Sequence, residues 1–384
     1  MAVLLVYISK FMTSTFCAAI HHHINLTPNG YIEPCCVWTK DDLDQEFKFT
    51  QLEEYKNSAQ LKKFKQDLDS GIKLPQCRLC WRQEEIGQSS QRMMYNKWLT
   101  RDASKLTSVE FKLGNLCDLK CVMCNGENSS QISTEYKLHR QKFEKFDQII
   151  MKPGYSNIFI KSQNTSDFNW PESEEFKSFT DLIKDDLKEI ILTGGEPTII
   201  PYVTRLLANL PNPENVRLTM ITNANSTNTR LIEILKKFKH VNVTVSLEGI
   251  EDHNDMVRFN SDWNRVVENI HRYKELPNIS IKINHVLQAF SVATLIPLIQ
   301  WTRAQGLELR FTPLFSPLHL TLDSVSKERI QQFANELETI SSPAAKIALE
   351  ALKTHVYKPK LEMIRKQHIG LLDEIRKTKL SELI

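Results

Sequence analysis

This chain of 384 residues is short of several things. No apolar run nears the roughly 18 residues that span a bilayer, and the strongest stretch, Met1 to Ile8, is cut off by Lys10. No basic leader precedes that stretch and no small-residue cleavage site follows it, so neither a membrane nor a secreted protein is expected and the chain is read as cytoplasmic. Charge of one sign is also lacking. Against 49 Lys and Arg stand 46 Asp and Glu, a balance of 49 − 46 = +3 that makes neither nucleic acid nor a membrane surface an obligatory partner and excludes no nucleic acid. There is no internal repeat. With 41% hydrophobic and 25% charged residues the chain is no disordered or fibrous protein, and its length suggests two or three units at about 150 residues each.

Cysteine is scarce in an informative way, since none follows Cys124. Five lie near the start (Cys17, Cys35, Cys36, Cys77 and Cys80) and three lie within eight positions (Cys117, Cys121 and Cys124). A cytosolic chain seldom spends cysteines on disulfides, so the two groups read as two metal sites.

From Ser108 onward, β-branched or apolar runs alternate with longer stretches of helical period, as in a parallel sheet with crossover helices. Six strands are predicted: Val109 to Gly114, Glu189 to Thr193, Val216 to Thr222, Val241 to Leu247, Ile279 to Leu287, and Leu307 to Thr312. Six βα units imply an α/β fold, a partial TIM-like (β/α)6 barrel, over 101–320. An insertion is expected near 147–175, including a Gly-, Ser- and Asn-rich loop over 151–171 at one end of the sheet. Residues 1–100 read as a small cysteine-rich α+β domain with a hairpin around Pro28, Asn29 and Gly30, and 321–384 as a C-terminal helical extension.

The Cys117-x3-Cys121-x2-Cys124 loop directly follows the first sheet strand, at the end where α/β proteins place their chemistry. Three soft thiolates select an iron–sulfur cluster or zinc, and the missing fourth leaves an open coordination position. The segment from Cys117 to Cys124 resembles the signature loop of the radical S-adenosylmethionine (SAM) superfamily. The resemblance implies a [4Fe-4S] cluster on Cys117, Cys121 and Cys124, SAM on the fourth iron, and one-electron cleavage of SAM to methionine and a 5′-deoxyadenosyl radical. Met123 stands where that family commonly has an aromatic residue.

Gly194, Gly195 and Glu196 after the second strand resemble the family's GGE motif, which implies a carboxylate for the SAM ammonium. A plain glycine turn is the alternative. Ser246, Glu248 and Gly249 with the later Arg258 resemble a further segment of the family, and Thr222 and Asn223 its Thr-Asn pair. The resemblance implies SAM contacts from Asn223, Ser246 and Arg258, the last suited to a carboxylate; ordinary strand-end capping is the other reading. Asn284, His285 and Gln288 are further polar contributors near the fifth strand.

In the first hundred residues, Gly30 to Cys35 and Cys77-x2-Cys80 resemble a twitch domain, a short relative of the SPASM domain, which implies an auxiliary iron–sulfur cluster on Cys17, Cys35, Cys77 and Cys80 with Cys36 as alternative ligand. A four-thiolate zinc knot has the same spacing. His21, His22 and His23 lack a third ligand on one face and read as ordinary residues. The Lys62, Lys63, Lys65 and Lys236, Lys237, Lys239 clusters read as solvated helix faces. Leu371 to Arg376 resembles a closing Leu-Asp-x-x-Arg segment, read as a helix-face pair of Asp373 with Arg376. The resemblance implies a peptide or protein substrate and a flavodoxin- or ferredoxin-like electron donor. The alternatives are a nucleotide, RNA or metabolite substrate, or a non-catalytic zinc-organised interaction protein. No catalytic acid or base is identified.

Overall fold

The computed structural model describes residues 15–41, 44–85, 87, 89–99, 105–150 and 168–384. Ten strands are seen among them: β1 (His23–Leu26), β2 (Ile32–Glu33), β3 (Ser108–Phe111), β4 (Lys120–Cys121), β5 (Glu189–Leu192), β6 (Arg217–Thr222), β7 (His240–Ser246), β8 (Arg258–Phe259), β9 (Ile279–Leu287) and β10 (Glu308–Pro313). Eight form one sheet in the order β10-β9-β7-β6-β5-β3-β1-β2, with every pairing parallel except β1 with β2. The sheet is open at β10 and β2, so the fold is α/β with an unclosed partial barrel, as the strand rhythm implied.

The strands take this form because alternate residues are apolar and β-branched. Leu218, Met220, Val241, Val243 and Val245 are buried beneath crossover helices such as Thr229–Leu235 and Trp263–Lys274. The intervening residues, Thr219, Asn242, Thr244 and Ser246 among them, are polar and only half-buried on the concave face. Asp262 starts the helix Trp263–Lys274 by accepting the Arg265 N–H at 3.2 Å.

The segment before residue 100 shares this sheet. Its β1 pairs in register with β3, His23 opposite Ser108 and Leu26 opposite Phe111, and Ile24 and Leu26 join the main core. The Pro28 to Gly30 turn forms the expected hairpin, Gly30 adopting φ 74° with its backbone against Trp170, whose Nε1 donates to the Pro28 carbonyl at 2.8 Å. His21 lies in the short helix Ala19–His22 while His23 opens β1, so the two do not share a strand face. The helix Gln91–Trp98 then reaches the sheet: the Arg217 guanidinium of β6 lies 3.7 Å from the Trp98 ring centroid, and Arg310 of β10 reaches the Met94 sulfur at 3.8 Å.

At the other end, helices Lys327–Glu338, Pro343–Leu352 and Pro359–Arg376 pack on the barrel. Ile364, Ile369 and Leu372 of the last one share a hydrophobic cluster with Val122 of the cysteine loop. The expected Asp373 to Arg376 pair is absent. Lys377 turns left-handed at φ 58°, and Asp373 instead accepts hydrogen bonds from Thr378, Leu380 and Ser381 beyond the helix end, which frees Arg376 for a distant partner. Most of the loop expected over 151–171 lies outside the described residues. No helix among the described residues is long and apolar enough to cross a membrane.

Candidate functional site

The loop after β3 is fastened before it reaches its first cysteine. Asn115 donates to the Gly126 carbonyl at 2.9 Å and accepts the Ser130 N–H at 2.8 Å, tying loop entry to loop exit. Ser129 hydroxyl donates to the Leu119 carbonyl at 2.7 Å while capping the helix Ser130–Leu138, and Ser130 Oγ accepts the Cys117 N–H at 3.2 Å. Cys121 lies in β4, whose antiparallel partner β8 sets it opposite Arg258.

Cys117, Cys121 and Cys124 lie within electrostatic reach of one another and of Arg258. Burial pushes the Cys117 thiol well up, and the neighbouring Cys121 pushes it further. Burial likewise raises Cys124 to about 12. Burial also raises Cys121, with Arg258 pulling the other way. A bound cation or cluster core supplies the positive charge these thiols need to ionise.

The glycine turn rests on this loop. The Glu196 N–H donates to the Leu116 carbonyl at 2.8 Å. Gly195 has φ 57°, and a Cβ there would come 2.4 Å from that same carbonyl; a Cβ on Gly194, at φ 69°, would come 2.6 Å from Lys112 Cβ. Both positions therefore require glycine. We expect Gly195→Ala to lose about 1–3 kcal/mol from backbone strain alone and to displace the cysteine loop, read as a lower melting temperature together with weaker SAM binding by calorimetry; a wild-type value for both would refute the coupling of turn and loop.

Glu196 is buried. Its Oε1 accepts from the Thr198 N–H and hydroxyl and from the Thr222 hydroxyl, and its Oε2 from the Asn223 N–H at 2.7 Å. Oε2 thus keeps room for a second donor. Burial raises this carboxyl, and the Asn223 and Thr222 donors oppose the rise. The Asn223 side chain donates to Asp118 Oδ1 at 2.8 Å, and Asn225 and Ser226 donate to Asp118 Oδ2 at 2.9 and 3.0 Å. Asp118, inside the cysteine loop, is the anchor of that loop to the end of β6. The sequence reading passed over it although it stands between two of the three cysteines.

Opposite lies a buried polar group at the ends of β7 and β9. Glu248 Oε1 is 3.6 Å from Arg258 Nη1, and Asn254 holds the Glu248 N–H at 3.1 Å. Burial raises the Glu248 carboxyl to about 8 against the pull of Arg258. Arg258 Nε is buried with no hydrogen-bond partner, and the Gln288 side chain is hydrogen-bonded to the Glu248 carboxyl. Such an unpaired donor fits a polar ligand. His285 borders this group, its Nδ1 donating to the Leu247 carbonyl at 3.1 Å and lying 3.6 Å from Glu248 Oε2, with Nε2 facing Ser291 at 2.7 Å. Ser246 lies at the end of β7 in register with Asn284.

The N-terminal thiols also gather. Cys35 feels Cys36, Cys17, Cys80 and Cys77; Cys77 feels Cys17 and Cys80. Burial raises Cys17 to about 11 and Cys77 to about 12. Cys36 differs in being hydrogen-bonded to Glu110 of β3, which also accepts from the Thr193 hydroxyl at 2.7 Å.

A thiol loop at the C-terminal end of a parallel, unclosed barrel, beside a close-approach glycine turn and an unpartnered buried donor, can hold an iron–sulfur cluster with a polar ligand next to it. Residues 111–289 match the family described as the Radical SAM superfamily, whose enzymes use a [4Fe-4S] cluster and SAM. Over 132 residues it is 28% identical to molybdenum cofactor biosynthesis protein 1 of Bos taurus and 27% identical to that of Homo sapiens, a match covering 34% of this chain and 21% of each relative. The chain thus aligns with only about a fifth of the curated relatives' length. Among solved structures it is similar to Streptococcus suis SuiB bound to S-adenosylmethionine, at TM-score 0.37 and 13% identity, covering 78% of this chain and 52% of that one.

Proposed function

We propose that this chain cleaves SAM reductively at a cluster held by Cys117, Cys121 and Cys124 and uses the radical to modify a peptide or protein. Bound there, the cluster and SAM supply methionine and a 5′-deoxyadenosyl radical after one-electron reduction from a flavodoxin- or ferredoxin-like donor. Arg258 would pair with the SAM carboxylate, the free side of Glu196 Oε2 would accept from its ammonium, and Ser246 would line the same pocket. The glycines Gly194 and Gly195 would let that pocket lie against backbone.

The observation that carries the reading is the open concave face. Asn242, Thr244, Ser246, Lys282, Asn284 and Thr312 border it with donors and acceptors, and β2 and β10 leave it reachable from the side. Such a surface suits a chain whose own backbone carries a donor and an acceptor at nearly every residue. Cys36 is hydrogen-bonded to Glu110 of β3, so an auxiliary cluster on the neighbouring Cys17, Cys35, Cys77 and Cys80 would lie against the sheet. Cys36, engaged with Glu110, is the less suited fifth thiol. A small-metabolite substrate is the second reading, favoured by the name of the bovine and human relatives.

The test is untargeted mass spectrometry of cells with the intact protein, without it, and with Cys117→Ala. A mass change on a protein or peptide that needs Cys117 supports the reading, and a change confined to small metabolites supports the second. For the N-terminal site, replacing Cys77 and Cys80 together with Ala is expected to lower iron and sulfide while SAM cleavage continues uncoupled from modification; unchanged iron and sulfide would count against an auxiliary cluster.

A further inference from the structure

The last helix brings a buried cation to the cysteine loop. Arg376, its side chain 2% exposed, grips Glu135, itself 4% exposed, through Nη2 at 2.7 Å and Nε at 3.1 Å. Glu135 also holds Lys120 Nζ at 2.8 Å, so one carboxylate serves two cations and the cluster keeps a net charge of +1. Both cations lie over the Phe259 ring of β8, at 4.8 Å for Lys120 and 5.2 Å for Arg376. The remaining guanidinium nitrogen, Arg376 Nη1, is buried with no hydrogen-bond partner. It borders a cavity whose walls include Cys121, Cys124, Glu135, Tyr136, His368 and Arg376.

An unpaired guanidinium donor costs free energy unless something in that cavity accepts from it. The Cys121 and Cys124 side chains line the same cavity and offer it sulfur acceptors. We propose that Arg376 is a positioning residue for the three-cysteine centre, its free Nη1 donating to sulfur on the Cys121 and Cys124 side and stabilising the reduced state. The proposal rests on the cluster reading above. Reduction takes one electron from an external donor, makes and breaks no bond, and adds one negative charge to the centre; a fixed cation and a donor to sulfur both favour that added charge.

The experiment is a dithionite titration of the reconstituted full chain followed by electron paramagnetic resonance, reading the signal that changes when SAM is added. Arg376→Gln is expected to shift the midpoint to more negative potential by at least a tenfold change in the reduction equilibrium, about 59 mV for one electron. Arg376→Lys keeps a cation for Glu135 but offers the sulfurs no second donor, so its midpoint is expected between the two. A loaded R376Q protein with the wild-type midpoint overturns the proposal. Where R376Q does not fold, R376K decides: a lowered midpoint supports it and an unchanged one overturns it. Iron analysis of the same samples separates the two failures, since a wild-type protein with no SAM-responsive signal would defeat the cluster reading itself.

Discussion

Replacing Cys117, Cys121 and Cys124 together with Ala is expected to remove one cluster and to bring 5′-deoxyadenosine formation below detection. The three thiols come from one eight-residue stretch, and no cysteine follows Cys124 to stand in for them. Asp118, the nearest other anionic ligand type in that stretch, is already held by Asn223, Asn225 and Ser226. The fold itself should survive. The loop is fastened by Asn115, Ser129, Ser130 and the β4 to β8 pairing, none of which uses a thiol side chain except the Leu119 N–H to Cys117 Sγ contact at 3.5 Å. Far-ultraviolet circular dichroism should therefore match wild type while iron and sulfide fall to the share of the N-terminal site. Persistent SAM cleavage in the triple variant would defeat the assignment of the ligands.

The strands of the barrel could be read in the sequence because their evidence is local. Val241, Val243 and Val245 alternate with polar residues, and a parallel strand beneath a crossover helix shows that period wherever it occurs. The loop and glycine turn were legible for the same reason, each being a short run with its chemistry on adjacent residues. What escaped depends on long separation. Four residues, His23 to Leu26, carry too little pattern to announce that they extend the sheet by pairing with β3, about 85 positions on. Arg376 meets Glu135 across 241 positions, and Asn223 meets Asp118 across 105. The Asp373 to Arg376 spacing suggested a pair on one helix face, but a left-handed residue at 377 turned the chain back onto Asp373. Local spacing could not report that turn, since Lys377 is not a residue type that favours it.

Acidification from pH 7 toward pH 5 should destabilise the protein. His23, His285, His319 and His368 are all at most 2% exposed. Burial lowers His23 to about 3, His285 to about 4 and His319 to about 3, and lowers His368 well below the ordinary imidazole value. Their hydrogen bonds suit neutral rings. His319 Nε2 and His368 Nδ1 are 2.8 Å apart, so one must donate and the other accept, and protonation would set two donors face to face. In the unfolded chain these rings take up protons near pH 6.5. The unfolded state therefore binds more protons than the folded one between about 6.5 and the lowered folded values, and stability falls with pH through that window. Each histidine contributes up to about 1.4 kcal/mol per pH unit once its unfolded ring is protonated, and Glu248, raised by burial to about 8 and therefore protonated in the folded chain, opposes part of that loss. Urea unfolding of the full chain at pH 7, 6 and 5 should show the midpoint dropping at each step, and His319→Gln should make that drop smaller. A midpoint constant from pH 7 to 5 would mean that these rings are solvated or already charged in the folded protein, and the packing of the C-terminal helix against the cysteine loop would have to be redrawn around His368.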